Sequence, residues 1–193
     1  MHMKLAAHIA AAAIAALSII SCGAPKEPAD PLESALISAI AQKVGDGAKV
    51  TITEYARMDS TTFGEELATR RKSFEVKQAQ EEKYVEKYRA ERMEANAGKH
   101  SAALAKTKDI LAGFDALEAS MAARKDEVAY YQIAFSGKAV LDGVTTPLDG
   151  YYAVVTPTGE VKAIQGAQKG LTKAMGHVIP GYTELIKGEE TEE

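Results

Sequence analysis

Tryptophan is missing from this chain, cysteine occurs once, and the aromatic residues together make up 6% of it. Each scarcity removes a class of architecture or function. One thiol cannot form an internal disulfide, so the fold must rest on packing and hydrogen bonds. Few aromatics and no indole leave a carbohydrate-stacking platform to be built from tyrosine alone. Basic runs are lacking too: 23 lysines and arginines stand against 27 aspartates and glutamates, for a net charge of −4. A mildly acidic chain without a cationic stripe has no electrostatic footprint for nucleic acid or anionic lipid. Catalytic and metal signatures are equally scarce, with no HExxH, paired cysteines, aspartate-rich calcium loop or GxxxxGK segment. No metal, cofactor or enzyme activity is therefore expected. Beyond the first 21 residues the histidines are His100 and His177, and both read as surface residues.

What is present begins with a leader. Met1-His2-Met3-Lys4 supplies a short positive start, and Leu5 to Ile20 is apolar except for His8 and Ser18. That run falls short of the ~20 apolar residues a helix needs to span a bilayer, and Gly23, two prolines and charges follow it at once. This is the anatomy of a removable export signal. The closing stretch Leu17-Ser18-Ile19-Ile20-Ser21-Cys22-Gly23 resembles the lipobox of bacterial lipoproteins, although Ile20 stands where a smaller residue is usual. The resemblance covers the first 23 residues only and implies cleavage between Ser21 and Cys22. It further implies acylation of Cys22 and attachment of the protein to the membrane through acyl chains. The expected location is the cell envelope. Gly23 rather than aspartate after the cysteine favours the outer membrane if the cell is Gram-negative.

Residues 22–30 hold two prolines and nothing to bury, a tether that reaches roughly 25 Å in polyproline geometry. Residues 31–187 read as one domain and 188–193 as a disordered acidic tail. Asp30-Pro31-Leu32-Glu33 is a helix start with Asp30 as N-cap and Glu33 closing an Asp version of the capping box. Leu32, Leu36, Ile37, Ile40 and Val44 form its apolar stripe, and Gly45-Asp46-Gly47 ends it. Ala48 to Met58 alternates as a strand, with Val50, Ile52, Glu54, Ala56 and Met58 on one face. Glu54 is thus a candidate buried acid; the alternative is a carboxylate at an edge reaching water.

Thr62-Phe63-Gly64-Glu65 is a capping box that opens a long charged helix to about Asn96. Glu66/Arg70, Arg71/Glu75, Lys77/Glu81 and Lys87/Glu91 are opposite charges four apart, each worth a few tenths of a kcal/mol. Its seam of Leu67, Phe74, Val85 and Tyr88 is interrupted by Gln78 and Glu81. Gly98 and Ser101 predict a reversal, and a second helix follows from about Ala102 to Arg124, with Leu104, Ile110, Leu111, Phe114, Leu117 and Met121 facing inward. The pair forms an antiparallel hairpin over about 64–124.

From Glu127 the period becomes two. Strands are expected at Val128 to Ala139, Tyr151 to Thr156 and Glu160 to Ile164, with a short one between residues 138 and 148. Turns fall at Asp142-Gly143, Asp149-Gly150 and Thr156 to Gly159. Weak helices near Thr172 and Glu184 follow. The fold class is α+β: an N-terminal helix, a strand, a helical hairpin, then an antiparallel meander packed against helices on one face. Two function classes suit it. One is a non-enzymatic envelope module that binds a protein partner, or itself, through the hairpin or the outer sheet face, where Tyr130-Tyr131 and Tyr151-Tyr152 could form a platform. The other is a small-ligand carrier or envelope hydrolase with a cavity between sheet and hairpin, lined by Tyr131, Ile133 or Phe135.

Overall fold

The computed structural model describes residues 30–187. The expected signal peptide, Ser21, Cys22, the tether up to residue 29 and the tail 188–193 lie outside the described residues. Helix α1 (Pro31–Val44) leads into strand β1 (Lys49–Thr62), followed by helices α2 (Phe63–Ala90) and α3 (Glu94–Met121) and a 3-10 turn at Ala122–Arg124. Strands β2 (Val128–Leu141), β3 (Val144–Val155) and β4 (Val161–Gln165) come next. A 3-10 turn at Gln168–Leu171 and short helices α4 (Thr172–Gly176) and α5 (Tyr182–Ile186) complete the order. The strands form one antiparallel sheet, β1-β2-β3-β4, so the fold is α+β as the residue patterns predict.

Helix α1 starts where its capping residues place it. Asp30 Oδ1 accepts from the Leu32 N–H at 2.9 Å, and Pro31 occupies the first helical position, where its missing N–H costs nothing. The second carboxylate oxygen turns to β1, accepting from Tyr55 Oη at 3.1 Å and Arg57 Nη2 at 2.7 Å. Asp30 therefore caps the helix and clamps it to the sheet, a role the capping box did not foresee. Leu32, Leu36 and Ile40 are buried against Ile133, Phe135, Ala139, Leu148, Ala153 and Val155, forming the core on one face of the sheet.

A second core lies on the opposite face. There Phe63, Leu67, Ile110, Phe114 and Met121 of the hairpin meet Tyr130 and Val154 of the sheet and Leu171, Ile179, Tyr182 and Ile186 of the C-terminal pieces. The single-sided packing expected from sequence is thus replaced by a sheet covered on both faces. The physical reason is visible in β2 and β3, whose successive residues are apolar on both sides: Tyr130 and Val154 face the hairpin, while Ile133 and Val155 face α1.

Three strand expectations need correction. Strand β3 is continuous over Val144–Val155, so the two segments predicted around residues 138–148 and 151–156 are one strand paired along its length with β2. Asp149-Gly150 is a bulge inside it rather than a turn, with Gly150 at φ 66° and the register shifting between Phe135 and Gly137. In β1 the register shifts between Ile52 and Glu54 and again between Arg57 and Asp59. The first shift breaks the alternation: Tyr55 joins Val50 and Ile52 against the α1 core, Glu54 is exposed, and Met58 is 49% exposed. The turns at Asp142-Gly143 (φ 50° and 79°) and Thr156 to Gly159 do form, the former as the two-residue type that suits a twisted hairpin.

Candidate functional site

The helical hairpin carries the largest share of chemistry outside the two cores. Its first helix opens on the predicted reciprocal cap: Thr62 Oγ1 accepts from the Glu65 N–H at 3.2 Å, and Glu65 Oε2 accepts from the Thr62 N–H at 2.8 Å. The Thr62 N–H and the Thr62 hydroxyl, which donates to the same oxygen at 3.0 Å, hold the Glu65 carboxyl below its usual pKa. The reversal, in contrast, is not at Gly98 and Ser101, which lie inside α3. Arg92 adopts φ 57°, with the Met93 N–H donating to the Tyr88 carbonyl at 2.8 Å and the Arg92 N–H to the Arg89 carbonyl at 3.1 Å. This pair of bonds defines a Schellman stop, for which glycine is the usual residue. An arginine in that position gives no warning in the sequence.

At the base of the hairpin a charged network is buried. Glu66 is 3% exposed and accepts from Arg70 Nε at 2.6 Å and Tyr130 Oη at 2.7 Å. Arg70 Nη2 also donates to the Thr172 carbonyl at 2.5 Å, and its guanidinium lies 5.9 Å from the Tyr182 ring centre. The Glu66–Arg70 pair thereby ties together α2, β2 and α4. Burial pushes the Tyr130 phenol above the ordinary tyrosine range, with the Glu66 charge adding to the rise. The Glu66/Arg70 spacing was legible as a helix-surface pair; its burial depends on Tyr130, 64 residues away in sequence. Beside it, Arg71 Nη1 bridges the two helices, at 2.7 Å from Asp115 and 3.1 Å from Glu118.

The outer half of the hairpin has its own small cluster. Val85 and Ala97 are buried, and His100 lies against Tyr84 (4.8 Å between ring centres) and Tyr88 (5.3 Å, interplanar angle 16°). His100 Nδ1 is 2.6 Å from Glu81 Oε2. Glu81, which interrupts the apolar seam, thus meets a histidine across the hairpin rather than a leucine. His100 is accordingly a half-buried interhelical residue, not the loop residue expected at a reversal. His177 is half-buried as well, with Nδ1 2.7 Å from Thr183 Oγ1.

The remaining candidates are dispersed. Glu54 faces solvent on the edge strand. The tyrosine pairs divide between the two covered faces, Tyr130 and Tyr152 with the hairpin core and Tyr131 and Tyr151 with the α1 core, so they make no common platform. Ile133 and Phe135 are 0% and 2% exposed within the α1 core. They are packing residues and cannot line a cavity between sheet and hairpin, since they face the other way. An open groove of about 300 Å³ does lie at the hairpin base, between Gly64, Leu67 and Ala68 on one side and Glu118, Met121, Ala122 and Lys125 on the other. Among the described residues no three histidine, cysteine, aspartate or glutamate side chains gather as a metal site, and no helix is long and apolar enough to cross a membrane.

A sheet held between one helix and a helical hairpin defines the architectural class. The chain matches no family model, no curated protein and no solved structure.

Proposed function

We propose that this chain is a lipid-anchored protein of the cell envelope that engages a protein partner through the outer half of its helical hairpin. Acylation of Cys22 after cleavage behind Ser21 holds it to the membrane, since two or more acyl chains give stable attachment where one gives marginal binding. The observation that carries the partner reading is the hairpin itself. Each helix has 28 residues, about 42 Å at 1.5 Å per residue, yet its contributions to the shared core come from Phe63, Leu67 and Phe74 at one end and Ile110 to Met121 at the other. Val85 and Ala97, buried in the intervening turns, belong to neither core, so the hairpin carries more helix than the two cores use. Both sheet faces being covered, the sheet offers no comparable surface.

The test places a photo-crosslinking residue at Val76, 61% exposed at the middle of α2 where the outer half begins, and at Val144, the first residue of β3, as a control, in cells expressing the full chain. A discrete adduct from Val76 and none from Val144 is the expected result. Equal background from both positions removes the partner reading. A carrier or hydrolase would instead have to use the groove at the hairpin base, and a large side chain in place of its exposed Ala68 would block ligand binding without altering crosslinks.

A further inference from the structure

The point where the tether enters the domain has a chemistry of its own. Asp30 is bonded directly by Tyr55 and Arg57, so the outer end of β1 lies beside the chain that leads back to Cys22. Only eight residue steps separate Cys22 from Asp30, about 25 Å in extended polyproline geometry. A domain acylated at Cys22 must therefore keep this corner close to the bilayer. The corner is an open dish of about 360 Å³ lined by Arg57, Met58, Asp59, Ser60 and Tyr131. Arg57 lies 4.5 Å over the Tyr131 ring and is 45% exposed. Its guanidinium is engaged by Asp30, through Nη2, and by the Tyr55 hydroxyl, but with five N–H donors it has others to offer. Asp59 brings a carboxylate to the same dish, its Oδ1 accepting from the Ser60 N–H at 2.8 Å. Met58, pushed outward where the register shifts between Arg57 and Asp59, is an exposed apolar side chain on the rim.

We propose that this dish seats the domain on its membrane by holding a zwitterionic phospholipid headgroup, with the phosphate on Arg57, the ammonium on Asp59 and Met58 entering the interface. The proposal rests on the lipid-anchor reading. A cation and an anion side by side suit a headgroup that carries both charges. An anionic headgroup is disfavoured by Asp59 and by a net charge of −4, and a soluble phosphate would leave the carboxylate without a counterpart.

The test uses the acylated full chain on phosphatidylethanolamine vesicles. The natural chain has one cysteine, and acylation blocks it, so Met58→Cys and Val144→Cys each offer a single thiol for an environment-sensitive fluorophore. Quenching by bromine-labelled lipid is expected to be several-fold stronger at position 58 than at 144, and to fall towards the value at 144 when Asp59→Asn is added or when phosphatidylglycerol replaces the zwitterionic lipid. Equal quenching at the two positions, in a sample whose mass spectrum confirms acylated Cys22, overturns the headgroup site and leaves the anchor intact. A mass spectrum showing unmodified Cys22 overturns the anchor. A Met58→Cys chain in which Cys22→Ser removes the second thiol is then labelled and titrated with water-soluble glycerophosphoethanolamine, and no response at position 58 overturns the headgroup site as well. A response to inorganic phosphate of equal size reduces the dish to a simple anion site and also counts against the proposal.

Discussion

Glu66 is almost wholly enclosed, and its worth depends on its partners remaining in place. Removing one member of a buried charged pair leaves the other without compensation and costs about 3–5 kcal/mol, whereas replacing both by apolar residues is often close to neutral. Arg70→Met alone should therefore destabilise the domain strongly in denaturant unfolding. Glu66→Leu combined with Arg70→Met should recover much of the loss, although Tyr130 would still lack its acceptor. A double variant as unstable as the single one would mean that the network, not the stranded charge, sets the cost. Asp30 and Tyr55 make opposite statements about pH. Burial raises the Asp30 carboxyl, but the Leu32 amide, the Tyr55 hydroxyl and Arg57 outweigh it and leave the pKa below the ordinary value. A lowered carboxyl contributes stability that is present above the unfolded pKa of ~3.9 and lost as pH falls through the folded value. Asp30→Asn should flatten the acid limb of the stability curve. Burial pushes the Tyr55 phenol up to about 12, and Asp30 reinforces the shift; Tyr130 is also raised. Their contribution is full below the unfolded pKa of ~10 and declines as pH rises through the folded values. An ultraviolet titration should show a tyrosine ionising well above the ordinary tyrosine range, and Tyr55→Phe should remove that late step.

The boundaries of the elements show what local patterns can and cannot carry. Asp30-Pro31 and Thr62 to Glu65 were legible because a cap is settled by side chains within one helical turn. The strand faces of β1 were legible only as far as Ile52. A register shift is a property of the pairing between two strands, and neither Thr53 nor its neighbours announces it. Gly137 explains part of it from the other side: a Cβ there would collide with the Thr51 carbonyl oxygen, so β1 can close on β2 only over a glycine. Gly137→Ala should therefore cost about 1–3 kcal/mol, as overpacking of a tight site does, measured as a fall in denaturation midpoint. The hairpin reversal was missed for a similar reason. The left-handed position at Arg92 carries a residue with a steric penalty, and Gly98 nearby was the more conspicuous stop signal. Nothing lies within 4 Å of a Cβ built at Gly98, so it is an exposed helical glycine. Arg92→Gly should accordingly raise stability by about 0.5–1 kcal/mol through relief of the left-handed strain. Gly98→Ala should do the same through helix propensity. Both gains would appear as slower amide exchange in the outer half of the hairpin, and exchange unchanged by either substitution would contradict the assigned backbone geometry.

At the scale of the molecule, two cores on opposite faces of one sheet hold different parts of the chain. The α1 core fixes the N-terminal end of the described residues, and the hairpin core fixes the base of the arm. Between the base and the Arg92 turn the helices hold each other through buried Val85 and Ala97, the His100 stack on Tyr84 and Tyr88, and exposed pairs such as Lys108 with Glu82 at 3.3 Å. Exposed pairs contribute little, so the outer half should open more readily than the body. Native-state hydrogen exchange ought to rank amides near Tyr84 and His100 well below those near Phe114 and Ile133. The same division permits a sharper experiment. Removing residues 79–105 and joining the stumps with a short glycine-rich turn takes away the outer cluster, while Phe74, Ile110 and Phe114 stay in their core. If the arm exists to meet a partner, the shortened chain should keep its sheet and most of its unfolding free energy and lose the crosslinked adduct. Should it unfold instead, the outer turns are needed to stabilise the body, and the case for an arm that reaches beyond the domain fails with it.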